Sequence, residues 1–191
     1  EWHSQNEIFI RGGQCFKAHD TAVEGDWSNA AFFLALGDDV KLTGLRDGSL
    51  QGDKICRQYL AQLCEGSPTL DISDCPDLGP ILFAFAAAHN GGTFTGTARL
   101  RIKESDRVAA MQTELAKLGI SLIEDDNTVI IKPAQLCKPA EPIDSHNDHR
   151  IAMAMATLLL QTGGTITGAE CVNKSLPDFF ERLTKLKANI E

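Results

Sequence analysis

Apolar residues recur in three similar blocks along the chain. Each block has a leading Asp, an apolar run of about three helical turns, a Gly, and a short β-like segment that closes in Thr-Gly. From leading Asp to closing Gly the separations are 18, 19 and 20 residues, in 26–44, 77–96 and 148–168. The first helix of each block is apolar on nearly all sides, most clearly over 151–160. The pattern therefore predicts repeated units built on buried helices.

A second helix is predicted after each Thr-Gly, over residues 52–64, 104–118 and 176–186. Apolar residues at helical spacing make the middle one amphipathic, and Gly119 is a plausible stop. Residues 121–123 and 128–132 flank a polar turn and predict a β-hairpin. Strand and helix thus alternate about three times in one α+β domain, with 138–142 as a loop and not a domain boundary.

The repeat predicts three units within a single domain 1–191, at about 24–73, 74–146 and 147–191. The last unit is incomplete because no hairpin follows its second helix. We expect either that strands from elsewhere complete it or that the chain is a piece of a longer protein. The absence of an initiator Met and of a targeting pattern at Glu1 also indicates a fragment.

Composition excludes several classes of protein. Of the 191 residues, 43% are hydrophobic and 23% charged, which is typical of globular domains and not of disordered or collagen-like chains. A net charge of −8 argues against nucleic-acid or anionic-membrane binding. The longest apolar runs fall short of the ~20 residues of a membrane span. An anionic ligand would therefore need a local basic cluster.

The six cysteines do not form a recognisable site. They contain no C-x-x-C pair and do not cluster with the five histidines, and they lie at positions 15, 56, 64, 75, 137 and 171. We interpret them as free thiols of a cytoplasmic protein, and we predict no metal site and no disulfide framework.

Acidic residues begin each of the three apolar helices. The simplest interpretation of Asp26, Asp77 and Asp148 is N-capping. Two of them have neighbours that point to a further role: Cys75-Pro76 positions the Asp77 carboxylate rigidly, and His149-Arg150 follows Asp148 directly.

The densest run of charged residues is KESDR, residues 103–107. Glu104 and Arg107 are three residues apart on one helix face near the apolar seam, so their charges are either partly buried or form a solvated pair. Asp148 lies 71 positions after Asp77, and Lys174 lies 71 positions after Lys103. Equivalent lysines in two units, with Arg107 and Arg150, predict a cationic bowl that fits a small multivalent anion.

Several of these segments closely resemble successive motifs of the 5-enolpyruvylshikimate-3-phosphate synthase family. They are VEGDWSNAAFFLA (23–35), CPDLGP (75–80), LRIKESDR (100–107), NDHRIAMAMA (147–156) and NKSLPDFF (173–180). KESDR and DHR-x-AM in this order are specific together, whereas EGD alone is weak. The resemblance covers essentially the whole chain, but only the C-terminal half of that enzyme.

The resemblance implies an enolpyruvyl transferase-like fold: βαβαββ units with pseudo-threefold symmetry around buried parallel helices. In the family, two such domains enclose the active site, and the extreme N-terminus supplies strands to this domain. The implied partner is the N-terminal domain of the same enzyme, and the implied assembly is a monomer.

The family transfers the enolpyruvyl group of phosphoenolpyruvate to the 5-hydroxyl of shikimate 3-phosphate, with release of phosphate and with no metal or cofactor. By resemblance, Asp77 binds the shikimate hydroxyls and takes the 5-hydroxyl proton, and Lys103 contacts a ring hydroxyl and assists. Glu104 protonates the methylene of phosphoenolpyruvate, which requires a raised pKa or a sheltered site.

The resemblance also implies a clamp on phosphoenolpyruvate made of Arg107, Arg150 and Lys174, with His149 behind it. The ligands of the shikimate phosphate group belong to the other domain, so we expect negligible turnover from this chain alone. Departures from the family pattern are Trp27 and Asn29 after EGD, and Arg99 before KESDR. The last of these could alter contacts to the ring hydroxyls.

Two alternatives stay open at the sequence level. One is the enolpyruvyl transferase that acts on UDP-N-acetylglucosamine, which shares the fold and the donor; KESDR followed by DHR favours the shikimate enzyme. The other is a noncatalytic module that binds anions.

Overall fold

The structure is a computed structural model and describes residues 1–190. Its strands are β1 (Trp2–Ser4), β2 (Glu7–Ile8), β3 (Thr69–Asp71), β4 (Gly92–Thr95), β5 (Leu122–Asp125), β6 (Thr128–Ile131), β7 (Ile143–Asp144) and β8 (Ile166–Thr167). Its α-helices are α1 (Trp27–Leu34), α2 (Cys56–Glu65), α3 (Gly79–Ala88), α4 (Arg107–Lys117), α5 (His149–Thr162) and α6 (Phe179–Lys185). Short 3₁₀ helices span Gly52–Ile55, Pro76–Leu78, Thr97–Ile102 and Ala169–Lys174.

The middle unit is a complete βαβαββ unit. Its four strands form one sheet in the order β3-β4-β6-β5, in which β3 and β4 are parallel and the other neighbours antiparallel. Helices α3 and α4 connect the strands, and the predicted hairpin is confirmed, with Asp125 paired to Thr128 across the turn. Asp126 takes a left-handed backbone (φ 50°), which Asp tolerates better than most residues.

The other two units contain less sheet. The third has the short parallel pair β7-β8, with α5 between the strands and α6 after them, and no hairpin follows among the described residues. The first unit was predicted to end in a β-like segment at Thr43-Gly44. That prediction is wrong for residues 40–44. A β-strand needs a ladder of backbone hydrogen bonds to a neighbouring strand, whereas this segment is joined to its neighbour by a single one, from Gly25 N to Gly44 O at 2.8 Å. An unpredicted exposed hairpin, β1-β2, lies near the start.

Three buried helices form the centre and run in the same direction. At one end, Arg150 in the first turn of α5 reaches the Asp77 carboxylate just before α3. At the other end, the residues that close α1, α3 and α5 line one apolar groove. All nine residues from Gly79 to Ala87 in α3 are buried, as the all-round apolar pattern predicts. The predicted fold class, α+β units around buried parallel helices, is therefore confirmed.

Aromatic contacts tie the outer elements to this centre. Phe83 of α3 packs edge-on against Phe94 of β4, with ring centroids 4.9 Å apart. Phe179 of α6 contacts Phe32 and Phe33 of α1, so the third unit closes against the first. No helix within residues 1–190 combines the length and apolar character needed to cross a bilayer.

The glycine that closes each repeat has a positive φ: 87° at Gly44, 75° at Gly96 and 68° at Gly168. At Gly96 a Cβ atom would lie 2.6 Å from the backbone N of Ser73, and at Gly168 it would lie 2.5 Å from Ser145 Oγ. The Thr-Gly signal therefore marks a left-handed turn in each repeat, which other residues adopt at a cost. At Gly96 and Gly168 the turn also lies tight against a neighbouring loop, whereas Gly44 has open space around it.

We predict that Gly96→Ala lowers the free energy of unfolding by more than the ~1–2 kcal/mol cost of the left-handed backbone, because the methyl group also meets the Ser73 backbone. Urea denaturation of the 191-residue chain measures this change. The control is Gly12→Ala, since Gly12 has no positive φ and no atom within 4 Å of the added methyl. Equal midpoints for the two variants would contradict the prediction.

Candidate functional site

The predicted site residues come together where α3, α4 and α5 begin. The Pro76–Leu78 turn carries Asp77, the segment before α4 carries Lys103 and Glu104, and α4 starts with Arg107. Arg150 projects from the first turn of α5, and Lys174 ends the Ala169–Lys174 turn. Together with Asp148, these residues are called the charge cluster below.

Arg107 is the centre of the charge cluster. Its side chain is 1% exposed, and each of its three nitrogens donates to a carboxylate. Nη1 lies 2.8 Å from Asp77 Oδ1, Nη2 lies 2.8 Å from Glu104 Oε2, and Nε lies 2.8 Å from Asp148 Oδ2. Burial by itself lowers the pKa of Arg107, but these carboxylates outweigh it and the pKa is raised. The sequence alternative of a solvated Glu104–Arg107 pair is therefore wrong, because Arg107 is buried.

Three cationic side chains contact the Asp77 carboxylate. Lys103 Nζ and Arg107 Nη1 lie 3.1 and 2.8 Å from Oδ1, and Arg150 Nη2 lies 3.3 Å from Oδ2. Burial raises the pKa of Asp77, but Arg150, Lys103 and Arg107 together lower it to about 2. N-capping is wrong for Asp77, because it lies inside a 3₁₀ turn that begins with Pro76 and makes no side-chain cap. It is confirmed for Asp26, which accepts from the backbone N of Ser28 and Asn29.

Glu104 bridges two cations. Oε2 accepts from Arg107, and Oε1 lies 2.8 Å from Lys174 Nζ. Burial raises its pKa, but Lys174, its own backbone and Arg107 lower the pKa to about 2. Of the two conditions predicted for a proton donor, the raised pKa is not met in this arrangement. Shelter is not met either, since Glu104 lies at the surface with its side chain 26% exposed.

The sequence identified Asp148 as a helix start but not as a site residue. It is fully buried and caps α5 by accepting from Arg150 N at 2.9 Å. Ser105 Oγ, at 3.1 Å, and Arg107 also donate to it. The sequence signal that could have identified Asp148 is its 71-residue offset from Asp77. The two carboxylates occupy equivalent positions in neighbouring units, and both contact the Arg107 guanidinium.

His149 lies beside the charge cluster and is 5% exposed. Burial and the nearby Arg150 charge lower its pKa, against the opposing effect of Asp148 and Glu104. The ring is therefore neutral at pH 7. Its Nδ1 makes no hydrogen bond to any of residues 1–190.

The charge cluster is filled by its own carboxylates and is not an open bowl. Lys103, Arg107, Arg150 and Lys174 each lie within 3.3 Å of a carboxylate oxygen. Four cations against three carboxylates leave a net charge of +1. An open cavity of about 530 Å³ adjoins it, lined by Glu104, Asn147, Glu170, Cys171 and Lys174. Lys174 is the cation of the charge cluster that lines this cavity, and its side chain is 59% exposed.

Of the departures from the family pattern, Asn29 lies beside this site. Asn29 exchanges a hydrogen bond with Ser175, directly after Lys174, at 3.2 Å. Trp27 is fully buried and lies 4.7 Å from the Arg57 guanidinium carbon. Arg99 is exposed and donates to the Ser73 carbonyl at 3.2 Å. Within residues 1–190, no group of three or more potential ligands is placed to hold a metal ion, and all six cysteines are free thiols.

We predict that Arg107→Met lowers the free energy of unfolding by about 3–5 kcal/mol, because it leaves the fully buried Asp148 without its cation. Urea denaturation at pH 7 measures the loss. The control is Arg182→Met, which removes a half-exposed pair with Asp178 and should cost less than ~1 kcal/mol. A similar small loss in both variants would contradict the central position of Arg107.

We predict that the free energy of unfolding decreases as the pH falls from about 5 to about 2. The pKa of both Asp77 and Glu104 is about 2 in the folded chain, against ordinary values of 3.8 and 4.5. In this window the unfolded chain binds more protons than the folded chain. The stabilisation that these two carboxylates contribute is therefore complete above the window and is lost as the pH falls through it. Urea denaturation across this range should show a shallower pH dependence for Glu104→Gln. The same slope in Glu104→Gln and wild type would contradict the assignment.

Comparison with known proteins identifies the family. The sequence model of the family described as EPSP synthase (3-phosphoshikimate 1-carboxyvinyltransferase) matches residues 61–183. A protein named 3-phosphoshikimate 1-carboxyvinyltransferase from Clostridium acetobutylicum is 41% identical over 203 residues, which cover 96% of this chain and 47% of that protein. One of the same name from Clostridioides difficile is 36% identical, covering 99% of this chain and 48% of that protein.

Solved structures agree with the sequence matches. EPSP synthase from Acinetobacter baumannii superposes with a TM-score of 0.76 at 26% identity, over 88% of this chain and 47% of that chain. The enolpyruvyl transferase NikO from Streptomyces tendae, at 16% identity and a TM-score of 0.58, shares the fold. The chain spans about half the length of the curated relatives it matches. This chain belongs to the EPSP synthase (3-phosphoshikimate 1-carboxyvinyltransferase) family.

Proposed function

We propose that the chain is the C-terminal domain of an enzyme that transfers the enolpyruvyl group of phosphoenolpyruvate to the 5-hydroxyl of shikimate 3-phosphate and releases phosphate. The proposal includes a single domain over 1–191, with units at about 24–73, 74–146 and 147–191. It also includes an N-terminal domain of the same enzyme as partner, a cytoplasmic location and a monomeric state, without nucleic-acid or membrane partners.

The observation that carries this proposal is the convergence of residues distant in sequence on one buried guanidinium. Asp77, Glu104 and Asp148 come from three segments and share Arg107, while Lys103, Arg150 and Lys174 surround them. Such an array binds a carboxylate and a phosphate at defined places. The family and its named relatives favour shikimate 3-phosphate over UDP-N-acetylglucosamine as the acceptor.

Binding of phosphoenolpyruvate would exchange charges in the cluster. Its carboxylate and phosphate compete with Glu104 for Lys174 and Arg107, and with Asp77 for Arg107 and Arg150. These cations are what hold both carboxyl pKa values at about 2. Each cation that turns to the ligand therefore raises the pKa of the carboxylate it leaves. Substrate binding thus converts two weak bases into groups able to carry protons.

The chemistry then needs two proton transfers, one away from the attacking hydroxyl and one onto the methylene carbon. The 5-hydroxyl oxygen attacks C2 of phosphoenolpyruvate and gives its proton to Asp77, assisted by Lys103, while Glu104 delivers a proton to the methylene carbon. The product is a tetrahedral adduct. Cleavage of its C2–O bond to phosphate, with return of a methyl proton to the Glu104 carboxylate, restores the double bond. Arg107, Arg150 and Lys174 stabilise the charge on the phosphate and carboxylate throughout.

We predict that Lys174→Met or Arg150→Ala, in the full-length protein that contains this chain, raises KM for phosphoenolpyruvate by about 10- to 100-fold, since each removes a charged hydrogen bond. Glu104→Gln instead lowers kcat by about 10²–10⁴-fold, because the proton donor is lost. Phosphate release with both substrates measures these effects, and the 191-residue chain alone should show negligible turnover.

The control for these variants is Lys185→Met, which removes an exposed pair with Glu181 far from the charge cluster. Unchanged kinetics in all three site variants would refute the assigned roles. If the chain and its missing half assemble correctly but release no phosphate, an anion-binding module without catalysis is the better account.

A further inference from the structure

Glu114 of α4 is a buried carboxylate that the reaction does not use. Its side chain is 1% exposed. Oε1 lies 2.9 Å from Nε2 of His146, and Oε2 accepts from the backbone N of Asp144 at 3.0 Å. Lys117 Nζ is 2.7 Å from Oε2. Because a carboxylate accepts only, Nε2 of His146 carries the proton of that bond. Two of the three partners of Glu114 thus belong to one loop, residues 144–147.

This loop has an unusual backbone. His146 and Asn147 have φ values of 52° and 53°, two consecutive non-glycine residues in the left-handed region. Local bonds support it: Asp144 Oδ1 accepts from His146 N at 2.8 Å, and Ser145 Oγ accepts from Asn147 N at 3.2 Å. Conformations of this kind persist when the surroundings hold them. Two contacts hold the loop from outside: Glu114 binds Asp144 and His146, and the Thr167 carbonyl accepts from Ser145 N at 3.1 Å.

The loop leads directly into the charge cluster. Asp148, which follows Asn147, caps α5 and accepts from Arg107. Arg107 and Glu114 are seven residues apart on α4, about two turns or ~10.5 Å along the same face. Helix α4 therefore contacts both ends of residues 144–148. Glu114 binds Asp144 and His146, and Arg107 binds Asp148.

We propose that Glu114 is a positioning residue: its contact with the left-handed 144–147 loop sets where Asp148 meets Arg107. Glu114 touches no substrate. It acts through the loop, and loss of the contact lets the loop relax and moves Asp148 away from the guanidinium. The consequence for anion binding rests on the proposed function, whereas the consequence for Arg107 does not.

The test follows the ¹H–¹⁵N signal of Arg107 Nε in the 191-residue chain, because Nε donates to Asp148. Glu114→Gln removes the charge with little change of shape. His146→Asn removes the bond to Glu114 but keeps a residue that tolerates the left-handed backbone. The destabilised control is Val129→Ala, a buried position in β6 outside the loop and the charge cluster.

We expect Glu114→Gln and His146→Asn to shift or broaden the Arg107 Nε signal and Val129→Ala to leave it in place. An unchanged signal in both loop variants, or an equal change in Val129→Ala, would overturn the proposal in favour of a purely structural role. If Glu114→Gln does not fold, His146→Asn decides alone.

Phosphoenolpyruvate titrated into the same variants of the full-length protein that contains this chain separates this proposal from the proposed function. We expect Glu114→Gln to raise its dissociation constant about tenfold. If wild type shows no response to phosphoenolpyruvate while the loop variants still displace the Arg107 signal, the positioning role stands and the proposed function fails. A displaced Arg107 signal with an unchanged dissociation constant would overturn the consequence for anion binding.

Discussion

The structure depends on one buried guanidinium shared by three carboxylates. Arg107 is removed from water, and a charge in that position is tolerable only when it is fully paired. Asp77, Glu104 and Asp148 supply the pairing from the beginnings of α3, α4 and α5. The same contacts that satisfy Arg107 therefore fix how the second and third repeated units sit against each other, and they bring the outer cations to one place.

This pairing also links stability to binding. If an anion binds at the charge cluster as proposed, it competes with the carboxylates that already pair with each cation. Lys174, exposed at the cavity, and Arg150, at the first turn of α5, hold Glu104 and Asp77 by contacts of 2.8 and 3.3 Å. Under the proposed function, a ligand that takes over these contacts raises the pKa of the carboxylates that it displaces. The same charges would then serve both ion pairing and proton transfer.

Sequence predicted the parts of the fold that periodicity and turn residues control. The apolar run of α5, the amphipathic α4 and the hairpin after it follow from local pattern. Thr-Gly marked the end of each repeat, and the structure adds that each of these glycines has a positive φ. Contacts between units join residues that are distant in sequence, so local pattern does not predict them. Nothing in the spacing of Glu114 and His146, 32 residues apart, indicates that they touch, and the missing ladder at residues 40–44 depends on a neighbouring strand that local pattern does not describe.

If phosphoenolpyruvate binds at the charge cluster as proposed, it takes cations away from Glu104. Carboxyl ¹³C chemical shifts of Glu104, followed against pH in the full-length protein with and without phosphoenolpyruvate, measure this directly. We expect a Glu104 pKa of about 2 in the free protein and a clearly higher pKa in the complex. A pKa that stays in place or falls further when phosphoenolpyruvate binds would contradict it.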